Sequence, residues 1–346
     1  MKILAKRPLT LLTAILTSFA VAAQARDFSL PSSKVLASTR HQSAPLTLAQ
    51  SSYVSFPSIG VQLMQPQGFT ESSKFQGFQQ ESSQSSVMLI KLPGPFSEIA
   101  NGFTGKNLKS RGMKLVRKKS VKVDGSKALL LQVIQEAYGT EFYKWILATG
   151  DDSNTQLITA TFPSTEVDYL SDELKSVLLN LKFTNSPAPN VGSDVGYQLG
   201  ESSLLQLTES VGKTLLYTKD GSIPAKSPAD PLFITAPALS NVAIIDKEQF
   251  ALQRLFFTEQ VKVSQIVSKD AIAIAGRDGY EIIAEGNDKK TNIPLKIYQT
   301  ILFSEDSYFL MQGMVGQDIT TDYLSEFKSL ARSLTFDTSQ ATTEAN

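Results

Sequence analysis

Apolar and polar positions change period several times along this chain, and each change marks an element. Ser86-Val-Met-Leu-Ile-Lys-Leu92 is nearly continuous in apolar character and ends at Pro93, which predicts a buried strand. Phe96, Ile99 and Phe103 then fall at helical spacing, predicting a helix over 96–111 that Gly102 and Gly105 weaken. Strand patterns follow over 113–123, 126–138, 141–149 and 155–162. Asp124-Gly125 is a hairpin signal, and Gly150-Asp-Asp-Ser-Asn154 turns the chain again, so the four strands form an antiparallel meander. Upstream, 60–64 starts a strand, 75–80 suits a hairpin, and 26–56 shows no sustained period and reads as a leader. After the meander, Leu170, Leu174, Val177 and Leu181 stand at i, i+4, i+7 and i+11, one apolar stripe for a helix lying on the sheet. Ser164 and Thr165 are placed to accept from its first amides, and Glu166 and Asp168 suit its positive end.

The order then repeats with a different start. Short strands over 204–207 and 213–217, a proline-punctuated loop over 219–231 and a strand over 232–235 precede a helix over 246–259. Strands follow over 262–267, 272–275, 280–285, 293–303 and 308–315. Three landmarks recur 154 residues on: Asp278-Gly279 echoes Asp124-Gly125, Asp306-Ser307 echoes Asp152-Ser153, and Asp322-Tyr-Leu-Ser echoes Asp168-Tyr-Leu-Ser. Inside the last helix the offset falls to 153, with Tyr323, Phe327, Leu330 and Leu334 on the apolar stripe. The expected organisation is a signal peptide (1–25), a leader (26–56), a first domain (57–184), a linker (185–191), a second domain (192–337) and a disordered tail (338–346).

The strand and turn at Asp124-Gly125, the 141–162 hairpin and the helix ending in Leu-Lys-Phe183, with its counterpart ending in Leu-Thr-Phe336, resemble the PsbP-like and DcrB-like superfamily of exported bacterial and thylakoid-lumen proteins. The resemblance covers 58–184 and 192–337 and implies an α+β fold of two tandem domains, each an antiparallel sheet flanked by helices on both faces. It also implies an extrinsic, assembly or accessory role. The long start of the second half, 192–231, departs from a compact family beginning.

Composition narrows the compartment and the chemistry. Lys2, Lys6 and Arg7, the apolar run from Leu9 to Ala23 and the exit Ala23-Gln24-Ala25 predict a signal peptide cleaved after Ala25, hence a periplasmic or secreted protein with no later transmembrane segment. Cysteine is absent, which excludes disulfides, thiolate nucleophiles and zinc–thiolate sites. Lys+Arg and Asp+Glu are both 33, so bulk charge gives no case for nucleic acid. The one histidine, His41, lies in the leader with nothing to set its pKa.

No constellation specifies a reaction, a metal or a cofactor. Gly212-Lys213-Thr214 lacks the first glycine of a phosphate loop, Leu207 standing there, and Ser210-x-x-Lys213 and Ser325-x-x-Lys328 lack the companion motifs of a Ser–Lys hydrolase. Asp151-Asp152 and Glu305-Asp306 have turn chemistry without calcium-loop spacing. Alternation places Phe142, Lys144 and Ile146 on one face and Tyr143, Trp145 and Leu147 on the other, as a sheet covered on both sides requires. The clearest charge feature is 106–127, where Lys106, Lys109, Arg111, Lys114, Arg117, Lys118, Lys119, Lys122 and Lys127 meet one acid, Asp124. Strand parity puts Lys114, Lys118 and Lys122 on one face, a candidate binding stripe for an anionic envelope surface or an acidic envelope protein, or else an edge protected from aggregation. The reading is an exported, non-enzymatic accessory or binding protein, with two alternatives: a carboxylate-dependent extracytoplasmic hydrolase, which needs two facing acids, or a binder of anionic surfaces through that stripe.

Overall fold

The computed structural model describes residues 52–137, 139–184, 190–221, 226–239, 241 and 244–337. The expected signal peptide, most of the leader with His41, and the tail lie outside the described residues.

The first unit opens with β1 (Tyr53–Phe56) and β2 (Val61–Met64) and continues through β3 (Thr70–Glu71), β4 (Gly77–Gln80) and β5 (Ser85–Pro93). Residues 53–56, read above as leader, therefore form a strand, which pairs antiparallel with β2. The helix expected over 96–111 is two pieces, α1 (Phe96–Gly102) and α2 (Gly105–Lys109), interrupted where Thr104 takes extended backbone and its side chain accepts from the Asn107 amide. The meander is β6 (Met113–Val123), β7 (Ser126–Ala137), β8 (Thr140–Gly150) and β9 (Asn154–Pro163), followed by α3 (Val167–Leu179) and β10 (Lys182–Phe183). Ser164 and Thr165 do not cap α3: residues 164–166 form a 3-10 turn, and Glu166 precedes the helix without a side-chain cap.

The second unit comprises β11 (Tyr197–Gln198), β12 (Gln206–Val211), β13 (Thr214–Thr218), β14 (Leu232–Pro237), α4 (Lys247–Phe256), β15 (Val261–Ile274), β16 (Arg277–Asp288), β17 (Pro294–Phe303), β18 (Tyr308–Gly316), α5 (Thr320–Arg332) and β19 (Thr335–Phe336). The two stretches expected as 262–267 and 272–275 are one strand, β15, which carries two bulges.

Both sheets have seven antiparallel strands in the same order, β3-β4-β5-β9-β8-β7-β6 and β12-β13-β14-β18-β17-β16-β15. One topology occurs twice. Helix α3 covers one face of the first sheet through Leu170, Leu174, Val177 and Leu178, while α1 and α2 cover the other through Ile99 and Leu108, with Phe103 from the break between them. In the second unit α5 and α4 take the same two places. This is the expected α+β architecture with helices on both faces, and each buried aliphatic on a helix stripe contributes on the order of 1.5–3 kcal/mol. Val211, Leu216 and Ile234 of the second unit join the apolar cluster on the α1 face of the first. At that contact the Lys213 ammonium donates to the Ser73 carbonyl, and the Gln76 amide donates to Asp194 at 2.9 Å.

The repeat holds, but all three of its landmarks are displaced: the β8–β9 and β17–β18 hairpins close at Gly150–Thr155 and Phe303–Tyr308, an offset of 153 that sets Asp306 against Ser153. The counterpart of the Asp124-Gly125 turn, where φ is +46° and +80°, is Ala275-Gly276 with φ of +50° and +74°. Asp278 and Gly279 lie within β16, opposite Ala273 and Ile272. Gly279 is needed there for close packing, since a Cβ would stand 2.0 Å from the Ile301 carbonyl oxygen. The shared Asp-Tyr-Leu-Ser is likewise out of step by one residue. The buried positions Leu170, Leu174, Val177, Leu178 and Leu181 match Tyr323, Phe327, Leu330, Ala331 and Leu334 at a constant 153, so Tyr169 has Asp322 as its counterpart. Tyr169 is 78% exposed and Tyr323 is 8% exposed.

Candidate functional site

The basic stretch forms β6, an edge strand of the first sheet. A bulge between Leu115 and Arg117 reverses side-chain parity, and this corrects the expected single face for Lys114, Lys118 and Lys122. Cross-strand partners show the division. Leu115, Lys118 and Ser120 stand opposite Val133, Leu131 and Leu129, all of the α1-face cluster, whereas Lys119 and Val121 stand opposite Leu130 and Ala128 of the α3-face cluster. Lys118 and Lys122 therefore share the α1 face with each other, and Lys114 joins Arg117 and Lys119 on the α3 face. Lys118 donates to the carbonyls of Phe103 at 2.9 Å and Ala100 at 3.3 Å, closing the C-terminal end of α1. Among the described residues none of the nine cations of 106–127 makes an ion pair. The matching edge strand of the second unit differs, because Lys269 on β15 pairs with Glu248 on α4.

The densest polar cluster is one that sequence reasoning did not assemble. Glu281 on β16 is 4% exposed and faces α5. Its carboxylate meets the Lys328 ammonium at 3.1 Å and the Arg332 guanidinium at 2.9 Å, and accepts from the Tyr298 hydroxyl at 3.0 Å. Tyr298 in turn accepts from the Thr300 hydroxyl at 2.6 Å. Burial alone would raise the Glu281 pKa, but the bonds from Arg332, Lys328 and Tyr298 outweigh it and hold the carboxyl below its usual range. Burial also pushes the Tyr298 phenol well above its ordinary value. The legible signals were a lone acid beside Ile282 and Ile283 on a core strand, and two cations at i, i+4 on the last helix. Lys328 of the Ser325-x-x-Lys328 spacing thus has a salt-bridge role.

The other buried acid among the described residues, Asp288, lies on the opposite face of β16, seven residues along, and its carboxylate accepts from the Lys290 and Thr291 amides and the Thr291 hydroxyl. These two buried acids do not face each other, so they do not supply the pair that a carboxylate hydrolase needs. Among the described residues no three His, Asp or Glu side chains come together as metal ligands. Asp151 is a turn residue, accepting from the Ser153 and Asn154 amides, and those bonds hold its pKa down. Gly212, Lys213 and Thr214 make the tight β12–β13 connection, with Gly212 at φ +58°. The aromatic stretch divides as alternation requires: Trp145, Leu147 and Tyr143 face α3, and Ile146 faces α1. A shallow depression of about 430 Å³ beside Lys247, Asp278, Tyr280 and Phe303 brings together one cation and one acid, with no nucleophile–base pair. No helix of the described residues is long and apolar enough to cross a membrane.

No protein family and no curated protein matches this sequence. Weak, partial likenesses to solved structures exist. The cyanobacterial PsbP (CyanoP) of Synechocystis is 12% identical, with a TM-score of 0.30 over 41% of this chain and 98% of its own. LpqN, involved in cell envelope biogenesis of Mycobacterium tuberculosis, is 15% identical, with a TM-score of 0.31 over 40% of this chain and 87% of its own. The T6SS immunity protein TplEi of Pseudomonas aeruginosa is 9% identical, with a TM-score of 0.31 over 84% of this chain and 99% of its own.

Proposed function

We propose that this chain is an exported, non-enzymatic accessory or binding protein of the cell envelope, and that it engages an anionic envelope surface through edge strand β6. The supporting observation is the uncompensated charge at that edge: five cations on β6 and four more beside it over 106–127, with no ion pair among the described residues, where the duplicate edge β15 pairs its Lys269. Unpaired lysines on a sheet edge also block strand addition, so the basic surface attracts anions while discouraging self-association. The bulge divides the charge between two faces, which makes the binding face testable. Two charge-reversal variants suffice, one with Lys114, Arg117 and Lys119 changed to Glu and one with Lys118 and Lys122 changed to Glu. Co-sedimentation of the full chain with vesicles containing anionic phospholipid should weaken with added salt and with at least one of these variants. Sedimentation indifferent to salt and to both variants would remove the proposal.

A further inference from the structure

Lys144, Thr161 and Ser86 stand directly opposite one another on three neighbouring strands, Lys144 against Thr161 and Thr161 against Ser86. Opposed residues project to the same face, here the face that carries α1 and α2, so three polar side chains form a row about 5 Å apart at their Cβ atoms. All three residues are half-buried. Among the described residues the Lys144 ammonium and the Ser86 and Thr161 hydroxyls make no hydrogen bond or ion pair, and none of the three atoms is sealed from solvent. Burial pushes the Lys144 amine down to about 8, since no anion beside it offsets the loss of hydration.

The duplicate shows that the fold does not require this polarity. The same row of the second unit reads Ile297, Met314 and Leu232, and Ile297 is fully buried. In the first unit Ile146 packs beneath α1 in one cluster with Ile99 and Phe103, while the next position along β8, Lys144, stays half-buried. The row is bordered by apolar side chains on the same face: Ile146 and Phe142 on its own strand, Val133 opposite it on β7 and Met88 on β5. An ammonium beside two hydroxyls, flanked by Ile146, Phe142, Val133 and Met88 as well as by the polar Thr159 and Gln79 and making no internal hydrogen bond or ion pair, is complementary to a carboxylate or phosphate carried on an apolar body.

We infer that the Lys144–Thr161–Ser86 row is a ligand site for such an anionic amphiphile, distinct from the charged edge at β6. Lys144 supplies the charge, Thr161 and Ser86 donate hydrogen bonds to the remaining anion oxygens, and Met88, Phe142 and Ile146 contact the apolar portion.

Calorimetric titration of the full chain tests this with octanoate, inorganic phosphate and vesicles of anionic phospholipid as separate probes, and octanol as the neutral control. Octanoate or the vesicles should bind, octanol more weakly than octanoate. Lys144→Met should weaken that binding about tenfold and Thr161→Val a few-fold, while the Lys114, Arg117 and Lys119 reversals leave octanoate binding unchanged, whatever they do to vesicle binding at β6. Octanoate binding would identify a carboxylate amphiphile and vesicle binding that is weakened by Lys144→Met a lipid headgroup, whereas phosphate binding with neither of these would overturn the amphiphile. Failure of all three to bind, or equal binding by wild type and Lys144→Met, would overturn the inference, as would octanol binding as tightly as octanoate where octanoate is the ligand. Lys144→Met places an apolar side chain where the duplicate carries isoleucine, so the variant should fold, and Thr161→Val provides a second reading of the same row.

Discussion

The two units place the same backbone under the same helix and fill it with opposite chemistry. Beneath α3 stand Leu130, Trp145 and Leu147, with the Lys175 ammonium 5.3 Å from the Trp145 ring centre. At the corresponding places beneath α5 stand Glu281, Tyr298 and Thr300, with Lys328 where the first unit has Lys175 and Arg332 where it has Leu179. One member is shared, the helix lysine, which lies over an aromatic ring in the first unit and against a carboxylate in the second. A tandem copy of a fold therefore transmits strand order and helix placement, and leaves open whether an interior is solved by apolar packing or by a closed ion-and-hydroxyl network. The network has the stricter requirement, because each member left alone carries a desolvation cost.

The largest expected effect concerns the alignment on which that comparison stands. If Tyr323 corresponds to Leu170, as burial indicates, then Tyr323→Ala and Leu170→Ala each remove a core contact and cost about 3 kcal/mol. Tyr169→Ala, in the visibly identical Asp-Tyr-Leu-Ser, should change stability by less than about 0.5 kcal/mol. Urea unfolding of the three variants decides it, and equal losses at Tyr169 and Tyr323 would restore the offset of 154 that the letters suggest.

Next in size is the cost of opening the network from its cationic side. Replacing Lys328 by Met together with Arg332 by Leu leaves Glu281 buried without a cation, which should destabilise by about 2–3 kcal/mol. This is the low end for a broken buried pair, since the Lys328 and Arg332 side chains are 35% and 48% exposed and water can partly replace them. Adding Glu281→Leu, which installs the first unit's residue, should recover most of that loss. A triple variant no more stable than the double would show that the carboxylate is not the group the cations hold.

A smaller effect should come from a size exchange in the same interior. Gly313 on β18 faces Phe327, and a Cβ there would stand 2.3 Å from the ring. The first unit has Ala160 and Leu174 at these two places, both fully buried. Gly313→Ala should therefore cost about 2 kcal/mol by overpacking, and Phe327→Leu in the same chain should relieve part of it. Additive losses in thermal unfolding would mean that the two positions do not compensate each other.

Much of this fold was legible because its signals are local. Period-two alternation over 141–149 and the helical stripe of Leu170, Leu174 and Val177 depend on residues a few positions apart, and both hold in the structure. What was misread depends on a single residue of slip. One extra residue at Val116 moves Lys114 across the sheet, and a hairpin tip of Ala275-Gly276 hides behind the stronger turn signal of Asp278-Gly279. The Glu281 cluster was legible only as scattered charges, since Glu281 and Arg332 are brought together by a helix that returns across the sheet after two further strands. The Lys144 row was half visible: alternation assigned Lys144 its face, but only strand register shows Thr161 and Ser86 beside it.

The smallest expected effect, acid sensitivity, separates the two interiors without altering their packing. Glu281 titrates below its ordinary value in the folded chain, because Arg332, Lys328 and Tyr298 stabilise its charged form against the opposing effect of burial. A depressed carboxyl contributes stability that is fully present above its unfolded pKa, about 4.3, and is lost as pH falls through the lower folded value. The slope is at most one proton's linkage, roughly 1.4 kcal/mol per pH unit. The apolar counterpart Leu130 contributes no such slope. Hydrogen exchange followed by mass spectrometry, corrected for the intrinsic pH dependence of exchange, should show α5 and β16 losing protection below about pH 4 ahead of α3 and β7. Glu281→Leu should remove that difference at α5, while Asp288 at the end of β16 and Asp151 in the first unit, whose carboxyls are also held below their ordinary values, keep their own slopes. If α5 keeps the same acid profile in Glu281→Leu as in the unaltered chain, the pH dependence of the second unit has another source, and the charged network contributes geometry but no titration.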